Sequence, residues 1–198
     1  MSPRPDVSEE RRNQILEAAS RIFAKSGFYE ARMDDIAEEA DLSKGTLYWY
    51  FKSKDEIIIA IFERLFEREC ADLRALHVAS GSASERLLAF SERAIGDIRN
   101  ILNLMPIMYE FVALAFRREL VQDAFRRFLK NYLDALVPIV QQGVDGGEFR
   151  AVDAQEVAIA VGAIFEGTIL LWAYDPDKVD IEKNIRASVR LLMGGLKA

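Results

Sequence analysis

Residues 36–51, Ile36-Ala37-Glu38-Glu39-Ala40-Asp41-Leu42-Ser43-Lys44-Gly45-Thr46-Leu47-Tyr48-Trp49-Tyr50-Phe51, constrain the fold more than any other stretch of the chain. Ile36, Ala37 and Ala40 recur at i, i+1 and i+4, giving one small apolar face, and Ser43 is a residue type that caps the start of a new helix. The segment therefore reads as two short helices joined by a tight turn, a helix-turn-helix. Its second helix, from Lys44 to about Tyr50, presents a cation, a hydroxyl and three aromatic rings rather than an ordinary solvated face. Cations and hydroxyls hold phosphates, and short polar or apolar groups read base edges, so double-stranded DNA is the expected partner.

The run Ile15-Leu16-Glu17-Ala18-Ala19, Phe23, Gly27-Phe28, Ile36-Ala37, Ala40, Leu42 to Tyr48 and Tyr50-Phe51-Lys52-Ser53-Lys54 resembles the TetR/AcrR family of transcriptional regulators in order and spacing. The resemblance departs at two places, where the family usually has Thr or Ser at Arg32 and Gly at Asp41. Arg32 removes the expected cap of the second helix. Asp41 is tolerable, because Asp visits positive φ more readily than most residues.

The resemblance implies an all-α chain, with an N-terminal three-helix unit carrying the helix-turn-helix and a C-terminal helical domain for ligand binding and dimerisation. The boundary is placed at 1–52 and 53–198. The expected DNA contacts are Arg32, Ser43, Lys44, Gly45, Thr46, Tyr48, Trp49, Tyr50 and Lys54. Repression of an operator, relieved by a small hydrophobic ligand, comes from the resemblance alone; a constitutive dimer without a ligand pocket is the alternative.

Charge agrees less readily with DNA binding. The 198 residues carry a net charge of −6, and residues 1–54 hold nine Lys plus Arg against ten Asp plus Glu, a balance of −1. Neutral hydroxyls and backbone amides are then expected to share the phosphate contacts, and affinity to depend weakly on salt.

Caps and periods place the remaining helices. Ser8 opens the first, whose stripe is Ile15, Ala18, Ala19, Ile22 and Phe23, and Gly27 ends it. Ser53-Lys54-Asp55-Glu56 and Ser82-Ala83-Ser84-Glu85 are capping boxes for the fourth and fifth. Pro106 begins or kinks a sixth, and a seventh runs from about Arg118 to Gln142, closed by Gly143 and the Gly146-Gly147 turn. Asp153 opens an eighth that ends at Tyr174, and a ninth runs from about Val179 to Met193.

The eighth is apolar almost all round, so it must be covered on more than one face. In the family its counterpart pairs with the last helix and their symmetry mates, which implies a homodimer through Val161, Gly162, Gly167, Leu170, Ile185 and Leu192.

An aromatic and methionine block, including Phe62, Leu104, Phe111, Phe116, Phe125 and Phe128, suggests an adaptable cavity lined by Phe66, Met108, Tyr109, Phe165 and Trp172. Asn131, Glu166 and Thr168 would add polar contacts.

A single cysteine, Cys70, excludes an intramolecular disulfide framework and a Cys-rich metal site, and a single histidine, His77, excludes most zinc constellations and histidine-based triads. With no glycine-rich phosphate loop, no enzyme and no cofactor are expected. No apolar run long enough to cross a bilayer is read, and residues 1–7 form a short arm without an apolar stretch. A cytoplasmic protein without membrane contact is the expectation.

Overall fold

The computed structural model describes residues 7–77, 80–102 and 105–198, with side chains at 7, 68–70, 72–73, 76–77, 97, 99–101 and 106 outside the description. The expectations for Cys70, His77 and Leu104 therefore fall outside the described residues. The described elements are helical: α1 (Val7–Glu30), α2 (Met33–Glu39), α3 (Lys44–Tyr50), α4 (Lys54–His77), α5 (Ala83–Leu102), α6 (Met105–Ala115), α7 (Glu119–Asp145), α8 (Ala154–Tyr174) and α9 (Ile181–Leu196). Among the described residues the only strand-like pairing is one antiparallel bridge, Phe149 with Lys197.

Two compact units result, and they do not follow chain order. The first comprises residues 1–66 and 100–128, the second 67–99 and 129–198. The first thus adds the start of α4, α6 and the start of α7 to the three N-terminal helices expected within 1–52.

In the first unit, Ile15, Leu16, Ala18, Ala19 and Phe23 of α1 are buried together with Ile36, Ala37 and Ala40 of α2 and its turn, and with Leu47 of α3. Gly27 interrupts α1 with φ 75° and ψ 161°, so the helix breaks where the sequence places its end. Phe62, Phe66, Phe111, Phe125 and Phe128 then form a stacked cluster, with ring centroids 3.6 Å apart for Phe62–Phe111 and 3.7 Å for Phe66–Phe128. Phe116 does not join them, since it is exposed.

In the second unit the expected caps are present. Ser82 and Glu85 exchange both hydrogen bonds of a capping box, at 3.2 and 2.9 Å. The Asp153 carboxylate accepts the Gln155 and Glu156 amides; a further cap, not expected, is Asp180, which accepts the Lys183 amide and starts α9 at Ile181 rather than about Val179.

Gly143 departs from expectation. α7 passes through it to Asp145, and a Cβ at Gly143 would lie 2.3 Å from the Phe149 ring and 2.9 Å from Ala83. Its role is close packing, and the chain turns instead at Gly147, where φ is 70°. Pro138 lies inside α7 without ending it.

α8 overturns the expectation that no run could cross a bilayer. Its 21 residues are long and apolar enough by length and composition, and only 22% of that apolar stretch is buried. It packs against α9 on one side. Ile159, Leu170, Leu171 and Tyr174 remain exposed on the other.

Glu148 holds the entry to α5, accepting the Ala83 and Ser84 amides at 2.8 and 2.9 Å. Burial pushes its carboxyl up, but hydrogen bonds from Ser84, Ala83 and Ser82 outweigh burial and hold it below the ordinary glutamate range. A carboxylate depressed in the folded state contributes stability above its unfolded pKa and loses it as pH falls through the folded value. Glu148→Ala should therefore cost about 1–2 kcal/mol at pH 7, as loss of a helix cap does. The cost should shrink as pH falls below the ordinary glutamate range and through the lower folded value, where the wild-type carboxyl becomes protonated too. Urea denaturation of both proteins across that range measures it.

Candidate DNA interface

The reading surface is built by a cap. Ser43 Oγ accepts the Thr46 amide at 3.1 Å and lies 2.9 Å from the Thr46 hydroxyl, starting α3 abruptly after the turn. Asp41 takes φ 51° in that turn, the conformation for which the family usually supplies glycine. Gln14 on α1 donates to the Ala40 carbonyl at 2.6 Å and ties the turn to the first helix. With Leu47 turned inward, Lys44, Gly45, Tyr48 and Trp49 share the outward face. Tyr48 is 43% exposed and Trp49 69% exposed, with the Trp49 ring edge-on to Tyr50 at 4.6 Å. Lys44, Tyr48 and Trp49 lie exposed there as a candidate contact surface.

Arg32 is the N-cap of α2. A guanidinium has no acceptor, so its side chain caps nothing, as the sequence implied. The reciprocal half survives, because the Asp35 carboxylate accepts the Arg32 amide at 3.1 Å.

Lysines around α3 are engaged within the protein. Lys44 lies 2.6 Å from Asp34. Lys52 Nζ donates to the Tyr48 carbonyl at 2.5 Å, and the Lys52 amide goes to Glu56. Lys54 corrects the expectation of a phosphate contact: its ammonium donates to the carbonyls of Phe28, Tyr29 and Ala31 at 2.6, 3.0 and 2.6 Å. It also stands 4.8 Å above the Phe28 ring. Three donors meet three acceptors, which leaves none for a phosphate. Burial, followed by the repulsion of Arg118, lowers its pKa from the ordinary lysine value.

Sequence reasoning missed Glu110. Its carboxylate accepts the Phe28 amide at 2.6 Å, and its signal was that it is the one charged side chain of α6.

Of the side chains read as ligand contacts, Phe66, Met108 and Tyr109 belong to the first unit, and Phe165 and Trp172 to α8 in the second. Phe66 is stacked on Phe128 and lies 5.6 Å from Phe62, which makes it part of an aromatic core. Phe165 faces Phe90 at 5.9 Å.

The expected dimer residues divide. Ile185 is 0% exposed and Val161 4%, so neither has surface left to give a partner. Gly162 serves an internal contact, since a Cβ there would lie 3.3 Å from the Tyr132 hydroxyl. Gly167 faces open space, Leu170 is exposed and Leu192 half-buried; Leu191, 78% exposed, extends that outer face and was missed.

A capped short helix that presents a cation, a glycine and exposed aromatic rings, supported by two others, defines a helix-turn-helix DNA-binding protein. Residues 15–61 match the bacterial regulatory proteins of the tetR family, and residues 83–196 match the C-terminal part of the BetI-type transcriptional repressors. The chain belongs to the TetR family and is a DNA-binding transcriptional repressor. It is 31% identical to the HTH-type transcriptional regulator TtgR of Pseudomonas putida, over 89% of this chain and 86% of that one. Its fold is similar to that of SmeT in complex with triclosan, with TM-score 0.84 and 19% identity over 96% of this chain and 92% of the other. It is similar also to FadR from Bacillus subtilis in complex with stearoyl-CoA, with TM-score 0.76 and 22% identity over 93% and 98%.

Gly45 separates fold from function. Nothing among the described residues demands a glycine there, since a Cβ would meet only Ser43 Oγ at an ordinary 3.8 Å. Gly45→Ala should leave stability unchanged or raise it by about 0.5–1 kcal/mol. Operator affinity should nevertheless fall several-fold, as a titration by fluorescence anisotropy would show. Full affinity would remove Gly45 from the interface.

Proposed function

We propose that the protein represses transcription as a cytoplasmic homodimer, entering successive major grooves with two copies of α3, and leaves its operator when a small hydrophobic molecule binds. The observation that carries the DNA contact is the exposed Lys44, Gly45, Tyr48, Trp49 face behind the Ser43 cap. Lys44 and the hydroxyls hold phosphates, and Thr46 and Trp49 are assigned to base edges and thymine methyls. Trp49→Ala should abolish preference for a duplex selected by the wild-type protein from a random pool, while weak binding to random DNA persists. An unaltered preference would remove Trp49 from the reading surface.

Dimerisation is supported by the outer face of α8 and α9, where Ile159, Leu170, Leu171, Tyr174 and Leu191 lie exposed on one chain. A patch of this kind on an apolar helix wants cover, and two-fold assembly supplies it from the same surface. Covering it with a second copy also accounts for α8 without a membrane. On such a dimer the two α3 helices would stand about 34–36 Å apart, or further where the operator is more widely spaced. Leu191→Asp should convert the dimer to monomer at micromolar concentration in sedimentation velocity runs, with loss of operator binding. A variant that still sediments as the dimer would move the interface elsewhere.

The ligand response draws support from relatives. SmeT has been seen with triclosan and FadR with stearoyl-CoA. Met108 and Tyr109 on α6 are the contacts proposed within the first unit. A second reading, a constitutive dimer, would treat the aromatic stack around Phe66 as plain core. A ligand acts only through differential affinity for the two states, so a compound that raises the melting temperature must also change DNA affinity if it releases the protein. A thermal-shift screen with fatty acyl, aromatic and cationic lipophilic compounds decides between them.

A further inference from the structure

We infer that Glu110 is a positioning residue through which α6 sets the joint between α1 and α2, and with it the attitude of the DNA-reading helix. This rests on the proposal that α3 reads DNA. α6 is apolar apart from this one charge. Glu110 Oε2 accepts the Phe28 amide at 2.6 Å, and Oε1 would lie 3.0 Å from a Cβ at Gly27. Gly27, at φ 75°, is where α1 breaks, and it leaves room for the carboxylate to come that close.

The peptide group on the other side of Phe28 is held as well. Lys54 on α4 takes the Phe28 carbonyl and those of Tyr29 and Ala31. Segment 28–31 is therefore gripped from α6 by an acceptor and from α4 by a donor, immediately before α2 begins at Met33. Phe28 itself is buried, and its ring packs at 5.4 Å on Phe23 of α1. The ring thus packs on Phe23 of α1 and under the Lys54 ammonium of α4, while the backbone is held from α4 and α6.

A joint held this way moves when one of its holders moves. Met108 and Tyr109 are the residues next to Glu110 on the same helix, so a ligand that shifts α6 draws directly on the Phe28 amide. Charge-assisted hydrogen bonds are short and strong, which suits this contact to transmitting a displacement rather than absorbing it.

The test uses the full-length protein and a duplex that the wild type selects from a random pool. Glu110→Ala should weaken binding about tenfold or more, the scale set by losing a hydrogen bond to a charged group. The salt dependence of affinity should stay as in the wild type, because no phosphate contact is lost. Glu110→Gln retains an oxygen that accepts the same amide and should bind within about threefold of wild type. Melting temperatures are recorded for each variant, and binding is measured well below them.

A second measurement needs no variant. The Phe28 amide should exchange slowly with deuterium in the free protein and more slowly on the duplex. Exchange at the rate of an exposed residue would overturn the inference. So would wild-type affinity in Glu110→Ala, or equal loss in Glu110→Ala and Glu110→Gln. Binding indifferent to Trp49→Ala would overturn the reading of α3, and the positioning role with it. Binding that requires Trp49 but ignores Glu110→Ala would overturn the positioning role alone.

Discussion

Two helices of seven residues each cannot persist alone in water, where even good helix formers shorter than about 12 residues are marginal. The reading head therefore depends on burying Ile36, Ala37, Ala40 and Leu47 along with the α1 stripe from Ile15 to Phe23. That burial fixes which side of α3 is left over. Once Leu47 points inward, helical periodicity turns Tyr48 and Trp49 outward, and Lys44, in the first turn, is exposed as well. Ser43 and Asp41 make the turn tight enough for both helices to share one small core, and Gln14 ties its backbone to α1. Function here is the remainder of packing: the groups the core does not use are the ones proposed to meet DNA.

What was legible in the sequence was mostly local. Ser43, Ser82 and Asp153 cap helices because each side chain reaches an amide two or three residues ahead. Asp41 at positive φ and the break at Gly27 follow from the same short-range logic. Lys54 was misread because the three carbonyls that capture it lie 23 to 26 residues upstream, where no spacing rule reaches. Gly143 looked like a helix terminator, but a glycine also permits close packing, and only the position of Phe149 distinguishes the two. Val161 and Ile185 belong to apolar stripes that periodicity detects well. Periodicity cannot say whether a stripe faces the chain's own core or a second copy, and these two face the core.

The charges bear on affinity in one consistent direction. Around α3 the lysine ammonium groups find carboxylates or carbonyls inside the protein, as with Lys44 on Asp34 and Lys52 on the end of α3. An exposed pair such as Lys44–Asp34 is worth little and opens readily to a phosphate. Its carboxylate stays close, however, and offsets part of the gain. A head of this kind gains less from bulk electrostatics than a basic one, and relies more on shape, hydroxyls and aromatic contacts.

Regulation by this protein turns on the outward face of α3 being the surface that meets DNA. Backbone amide shifts of the assigned protein, followed by NMR as the selected duplex is added, address it directly. The largest changes should fall on residues 43–50 and the Trp49 indole, with the outer face of α8 and α9 unaffected. Changes concentrated elsewhere, with the Trp49 indole unmoved at saturation, would contradict it.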